Sequence, residues 1–249
     1  MDVRVRVLGG FEVEGLTRHQ LGSRKARTLL KLLALARARP VAIDHLIECL
    51  WPNDEAAPSR PDEQLAVLMS RLRAVLGPDR LVRTDAGYTL ICDWLDLVAL
   101  EELAAAATRR LTAGSYALAR AAAEAGLTLV RGQLLADEPD AAWVTGERAA
   151  AERLIAELRL TAARAALRAR DNTAAANLAS SMLERDPYDE AALRVLMEAY
   201  ASAGRSALAV AAYGRARERL SEELGMDPAP ETESIYLRIS QLHDRRKSK

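Results

Sequence analysis

The chain has 249 residues, half of them hydrophobic, with 35 basic and 35 acidic side chains and only 4% aromatic residues. That length suits one or two domains with a real core. No run of about 18 uninterrupted apolar residues and no apolar N-terminal segment of signal-peptide type is present, which excludes a spanning helix and points to a soluble, cytoplasmic protein without a membrane partner. Cys49 and Cys92 stand in apolar surroundings and read as small core residues rather than as a disulfide or a metal pair. The neutral total conceals a division: residues 1–92 hold 14 basic and 11 acidic side chains, leaving 21 and 24 to the rest. A net +3 precedes a net −3, a small excess for a nucleic-acid binder.

In chain order, Val3, Val5 and Val7 alternate with Arg4 and Arg6, and a second extended piece surrounds Phe11-Glu12-Val13 after Gly9-Gly10. Period-two alternation predicts a small antiparallel sheet with one buried face. From Ser23, a helix N-cap, SRKARTLLKLLALARA reads as a helix with Leu29, Leu30, Leu33 and Ala34 on its apolar stripe. Its first turn carries Arg24, Lys25 and Arg27, cations where the helix dipole favours anions; a neighbouring phosphate backbone would make sense of them. After Pro40, Asp44 caps a short second helix, HLIECLW, which Pro52 stops, and a polar loop NDEAAPSRP follows.

The next helix is the most informative segment, QLAVLMSRLR over 64–73. Leu65, Met69, Leu72 and Leu76 form one stripe of a 3.6-residue helix and face inward, whereas Glu63, Val67, Ser70 and Ala74 face outward, flanked by Gln64, Arg71 and Arg73. Small outward side chains let a helix approach a major groove, and the flanking Gln and Arg can reach phosphates or base edges. A hairpin-like stretch, RLVRTDAGYTL, closes the region. Two strands, three helices and a β-hairpin wing, in that order, make a winged helix-turn-helix of α+β class.

The four stretches LGSRKARTLLKLLAL, LIECLWP, SRLRAVLG and RLVRTDAGYTL, in order and spacing, resemble the OmpR/PhoB-type domain of the Streptomyces antibiotic regulatory protein (SARP) family of transcriptional activators. The resemblance implies that pairs of protomers bind direct repeats with the third helix in the major groove. It also implies that Arg71 and Arg73 contact DNA, that the Trp51 indole N–H donates to a phosphate, and that Arg83 lies on the wing. With Arg60 before the third helix and Tyr88 in the wing, the candidate DNA-contacting set is Arg24, Lys25, Arg27, Trp51, Arg60, Gln64, Val67, Ser70, Arg71, Arg73, Arg83 and Tyr88.

From about Leu97 the pattern is helical, with helices expected over 97–113, 116–135, 146–170, 173–185, 190–203, 205–224 and 231–242, separated by turn residues such as Gly114, Asp186-Pro187 and Gly204. A 34-residue unit starting at Glu190 puts Leu193, Leu196, Tyr200, Ala209, Tyr213 and Ala216 at the hydrophobic and small positions of a tetratricopeptide repeat, and one unit earlier Ala175, Ala179 and Pro187 take the corresponding places. The stretch from Leu183 to Ile239 resembles the bacterial transcriptional activator domain that follows the winged helix in the same family, where it supports dimerisation and contact with RNA polymerase.

The expected organisation is therefore a mainly α chain: a winged-helix DNA-binding domain over 1–93, an all-α tetratricopeptide-like domain over 97–243 and a basic tail over 244–249. No phosphate-binding Gly-rich loop, H-E-x-x-H or cysteine cluster is present, so neither an enzyme nor a cofactor is expected, and His19, His45 and His243 are scattered. The expected function is activation of transcription from promoter DNA, for a biosynthetic gene cluster, with double-stranded DNA, RNA polymerase with its sigma factor and a second protomer as partners. The alternative is a protein–protein scaffold whose winged helix no longer reads DNA. The acidic helical remainder shows no basic stripe that could follow a phosphate backbone.

Overall fold

The structure is a computed structural model that describes the backbone of residues 2–52 and 58–247 and the side chains through Gln241. The polar loop expected after Pro52, the side chain of His243 and the basic tail's side chains lie wholly or mostly outside the described residues. Two compact units make up the fold: Met1–Glu102 with Thr128–Glu152, and Leu103–Leu127 with Arg153–Lys249. Packing therefore divides the chain differently from the expected 1–93 and 97–243, because residues 128–152 build onto the N-terminal unit.

In the first unit, strands β1 (Arg4–Arg6) and β2 (Glu12–Val13) pair antiparallel, with Val5 opposite Val13. The alternation holds: Val3, Val5 and Val7 are buried, while the guanidiniums of Arg4 and Arg6 lie over the ring of Trp94 and pair with Glu14. A strand the sequence did not announce, β5 (Trp94–Leu95), joins the other edge of β1 in parallel. Helices α1 (Arg24–Leu35), α2 (Ile43–Leu50) and α3 (Pro61–Leu76) follow the sheet, then the hairpin β3 (Leu81–Thr84) and β4 (Gly87–Leu90), whose register leaves Asp85-Ala86 as a two-residue turn. Ser23 caps α1 as expected, its hydroxyl accepting from the Ala26 N–H at 3.3 Å. Asp44 does not cap α2: the cap position is Ala42, and Asp44 sits inside the first turn, where its charge faces the helix dipole.

Helix α4 (Asp96–Thr112) and helix α5 (Tyr116–Thr128) come next. The helix expected to run from Tyr116 to Leu135 ends at Thr128. Beyond it the backbone is claimed by the N-terminal sheet: the N–H groups of Arg131, Leu135 and Ala136 donate to the carbonyls of Leu8, Val7 and Gly9, and Leu134 and Leu135 are buried. Long-range bonds of this kind satisfy the same amides that helix continuation would have used.

The remaining helices are α6 (Thr145–Arg168), α7 (Asn172–Arg185), α8 (Glu190–Ser202), α9 (Ser206–Arg219) with a π-helical turn over Leu220–Leu224, and α10 (Pro230–Lys247). The second unit packs α7 on α8, α8 on α9 and α9 on α10. Its core is built from alanines: Ala175, Ala179, Ala209 and Ala216 are buried with Leu193, Leu196 and Tyr213, as the repeat register predicts, joined by Ala163, Ala166, Ala199 and Ala212, while Tyr200 is only partly buried. Tyr213 and Tyr236 stack with centroids 4.1 Å apart, joining α9 to α10.

Candidate nucleic-acid interface

Helix α3 has two faces of opposite character. Leu65, Leu68, Met69, Leu72 and Leu76 are buried, and the other side exposes Glu63, Gln64, Val67, Ser70, Arg71 and Ala74. Val67 is 43% exposed, a large aliphatic group left in water in the middle of that face. Arg71 also lines a cleft of about 210 Å³ together with Ser23, Ala26 and Leu72, so the start of α1 lies beside the middle of α3.

The wing is anchored from below. Val41 and Tyr88 exchange backbone hydrogen bonds of 2.8 and 2.9 Å, which ties β4 to the segment between α1 and α2. This approach is possible only because residue 87 is glycine: at φ +126° a Cβ there would stand 1.9 Å from the Val41 carbonyl oxygen. Arg73 donates from Nε to the Leu81 carbonyl at 2.8 Å, joining α3 to the hairpin.

The candidate contact residues fall into three groups. Gln64, Val67, Ser70 and Arg71 share the outer face of α3, and Arg83 is exposed on β3. Arg24 and Arg60 are exposed but engaged, Arg24 with Glu138 at 3.6 Å and Arg60 with Glu63 at 2.8 Å, while Arg27 donates to the Gly22 carbonyl. Lys25, Trp51, Arg73 and Tyr88 belong to the packing beneath. Lys25 Nζ lies 4.3 Å from the ring centroid of Trp51 and donates to the Leu50 carbonyl, and burial pulls its pKa down. Trp51 is 8% exposed and Tyr88 3%, the latter with the guanidiniums of Arg73 and Arg83 within 5.8 Å of its ring. These four set where the exposed cations stand.

Sequence reading missed what holds α1 in place. Lys31 is 2% exposed, and its ammonium sits 2.7 Å from both Asp137 Oδ2 and Glu138 Oε1. Burial pushes the Asp137 carboxyl up, but Lys31 and the Phe11 N–H outweigh it, and the net shift is downward. Arg148 donates to the carbonyls of Leu134, Leu135, Glu138 and Pro139 and so shapes the loop that presents both carboxylates. Arg37 reaches Glu101 and Glu147 at 2.8 Å each. A lone lysine inside KLLALA is the only signal; its partners stand more than 100 residues away. Cys49 and Cys92 are half-buried free thiols, with burial raising both pKa values, rather than members of the core proper.

The family model described as bacterial transcriptional activator domain matches residues 95–240, more than half of the chain, and the model described as transcriptional regulatory protein, C terminal, matches residues 19–90. The chain belongs to the SARP family of transcriptional activators. Regulatory protein AfsR of Streptomyces griseus is 32% identical over 220 residues, and transcriptional regulatory protein MoaR1 of Mycobacterium tuberculosis is 30% identical over 256. This SARP-family chain is covered to 88% and 95% in the two alignments; it spans about a fifth (22%) of AfsR and 79% of MoaR1. Among solved structures, that of Mycobacterium tuberculosis EmbR in complex with a low-affinity phosphopeptide superimposes with a TM-score of 0.87 at 26% identity, covering 96% of this chain and 65% of EmbR. The chain thus has the domain order of regulators of the AfsR and EmbR type: mainly helical, with a small N-terminal sheet and winged region ahead of a helical domain.

Proposed function

We propose that this regulator binds double-stranded promoter DNA through the outer face of α3 and activates transcription by recruiting RNA polymerase with its sigma factor. The observation that carries the reading is the exposed row Gln64, Val67, Ser70 and Arg71, backed by a fully buried opposite face and rising beside the cationic start of α1. Such a row can enter a major groove: Gln64 and Arg71 suit adenine and guanine edges, and Val67 suits a thymine methyl. Arg24, Arg60 and Arg83 would take phosphates. In this reading two protomers sit on direct repeats and the target is a biosynthetic gene cluster, which the family membership supports.

The test is a mobility shift on the DNA upstream of the neighbouring genes, at several salt concentrations. Arg71→Ala with Arg83→Ala should weaken binding and lower the salt slope by roughly one unit for each phosphate that is no longer bound. Val67→Ala should change base preference and leave melting unaltered. A folded Arg71→Ala/Arg83→Ala protein with unchanged affinity and slope would overturn the assignment of α3 and favour the scaffold reading.

A further inference from the structure

Residues 93–249 are acidic in sum, yet the helical unit within them gathers arginines that the sequence keeps far apart. Two adjoining clefts of about 450 and 490 Å³ share Leu167, Arg168 and Glu198. Arg168, Arg170 and Arg238 line the first; Arg164, Arg168 and Arg194 line the second. Among the described residues Glu198 is the one acidic side chain on either wall, and it is held by Arg238 Nη2 at 2.7 Å. Arg194 donates to the hydroxyl of the buried Thr232 at 3.0 Å, which fixes its guanidinium, whereas Arg164 and Arg168 are exposed. Neither Arg164, Arg168 nor Arg194 pairs with a carboxylate among the described residues. Arg164 and Arg168 stand four apart on one face of α6, where like charges repel. Helices α6, α8 and α10 thus converge to bring these guanidiniums to one groove.

We infer that this groove is a docking site for an acidic peptide segment of another protein, one that alternates carboxylates with an apolar side chain. Carboxylates of such a segment would meet the guanidiniums of Arg164, Arg168 and Arg194, which bind them in bidentate fashion and relieve the repulsion along α6. The second cleft is also walled by Leu111, Tyr116, Val195 and Ile235, which offer a place to an apolar side chain and none to a phosphate backbone. Clefts of a few hundred Å³ admit side chains of a single extended strand. A duplex about 20 Å across would rest on the rim and leave that apolar wall wet. The site is distinct from α3 and the wing, so it stands or falls independently of DNA binding.

Fluorescence polarisation on the full chain tests it, using a labelled Glu/Leu-alternating dodecapeptide, its Gln/Leu counterpart and a labelled 20-base-pair duplex. The Glu/Leu peptide should bind at least about tenfold more tightly than the Gln/Leu peptide. Arg164→Gln/Arg168→Gln should remove that preference, and Arg215→Gln/Arg217→Gln, on exposed positions of α9 outside the clefts, should leave it intact. Equal binding of the two peptides, or a preference untouched in Arg164→Gln/Arg168→Gln, would overturn the proposal. So would duplex binding that the same groove variant abolishes, which would make the groove a nucleic-acid surface instead.

Discussion

The two units solve the same problem, holding side chains at fixed places, by opposite means. Among the described residues every buried charged side chain, Lys31, Asp96, Glu138 and Arg148, belongs to the first unit, and the second buries Ser206, Thr232 and Tyr213 among residues with polar side-chain atoms. Asp96 shows the style of the first: its carboxylate accepts from the N–H groups of Val7 and Leu8 at 2.8–3.0 Å, and burial still raises its pKa. Short strands and a two-residue turn leave few apolar contacts to orient α1 and the wing, so charges and backbone bonds do it. The helical unit buries no charge for this purpose, because alanines at repeat positions let helix backbones approach closely over long seams. Directional bonds fix a geometry at few points and small-residue packing fixes it along a line. The first arrangement fails abruptly when one partner is removed, and the second degrades with volume.

The sharpest way to break this comparison is at Gly87. Gly87→Ala places a methyl into the Val41 carbonyl and forces φ +126° on an alanine, so a loss above about 4 kcal/mol is expected, read by chemical denaturation of the N-terminal unit. Next comes Lys31→Met, which takes the buried cation from Glu138 and the half-buried Asp137 and leaves them only the exposed guanidiniums of Arg24 and Arg18 at 3.6 Å. It should cost about 3–5 kcal/mol, and adding Glu138→Gln should recover part of that loss. If Lys31→Met melts like the wild type, charge is not what orients α1. In the helical unit, Ala209→Leu overfills a fully buried site on the α8–α9 seam and should cost about 1–3 kcal/mol, with the transition of the first unit unmoved.

The smallest effect concerns Asp93. Its carboxyl accepts from the Val3 N–H and then from Arg80, which together pull its pKa down to about 2. A folded pKa below the unfolded value of about 3.9 gives stability that is complete above pH 4 and fades as pH falls toward 2. An acid titration of the melting temperature should therefore be shallower for Asp93→Asn than for the wild type in that window. Parallel curves would remove Asp93 from the acid response.

The facing of α3, the Ser23 cap, the β1–β2 pairing, the hairpin and the repeat register were all legible because each rests on local periodicity. Leu65, Met69 and Leu72 lie within eight residues of one another, and a 3.6-residue helix decides which way they point. The composition of the candidate interface was legible in the same way, since Gln64, Val67, Ser70 and Arg71 occupy the complementary stripe.

Tertiary structure alone decided which cations stay exposed and which are taken up in packing. Nothing in RKARTLLK distinguishes Arg24 from Lys25 and Lys31, yet one reaches solvent, one covers Trp51 and one is sealed against Asp137 and Glu138. The same holds for the end of α5 at Thr128, beyond which the distant segment following β1 replaced the helix as partner for the amides, and for the arginines of α6, α8 and α10 that meet across the clefts. Sequence specifies what a residue can bond within one turn or one strand. Partners more than 100 residues away compete for the same donors and acceptors, and that competition is resolved only when the whole unit has packed.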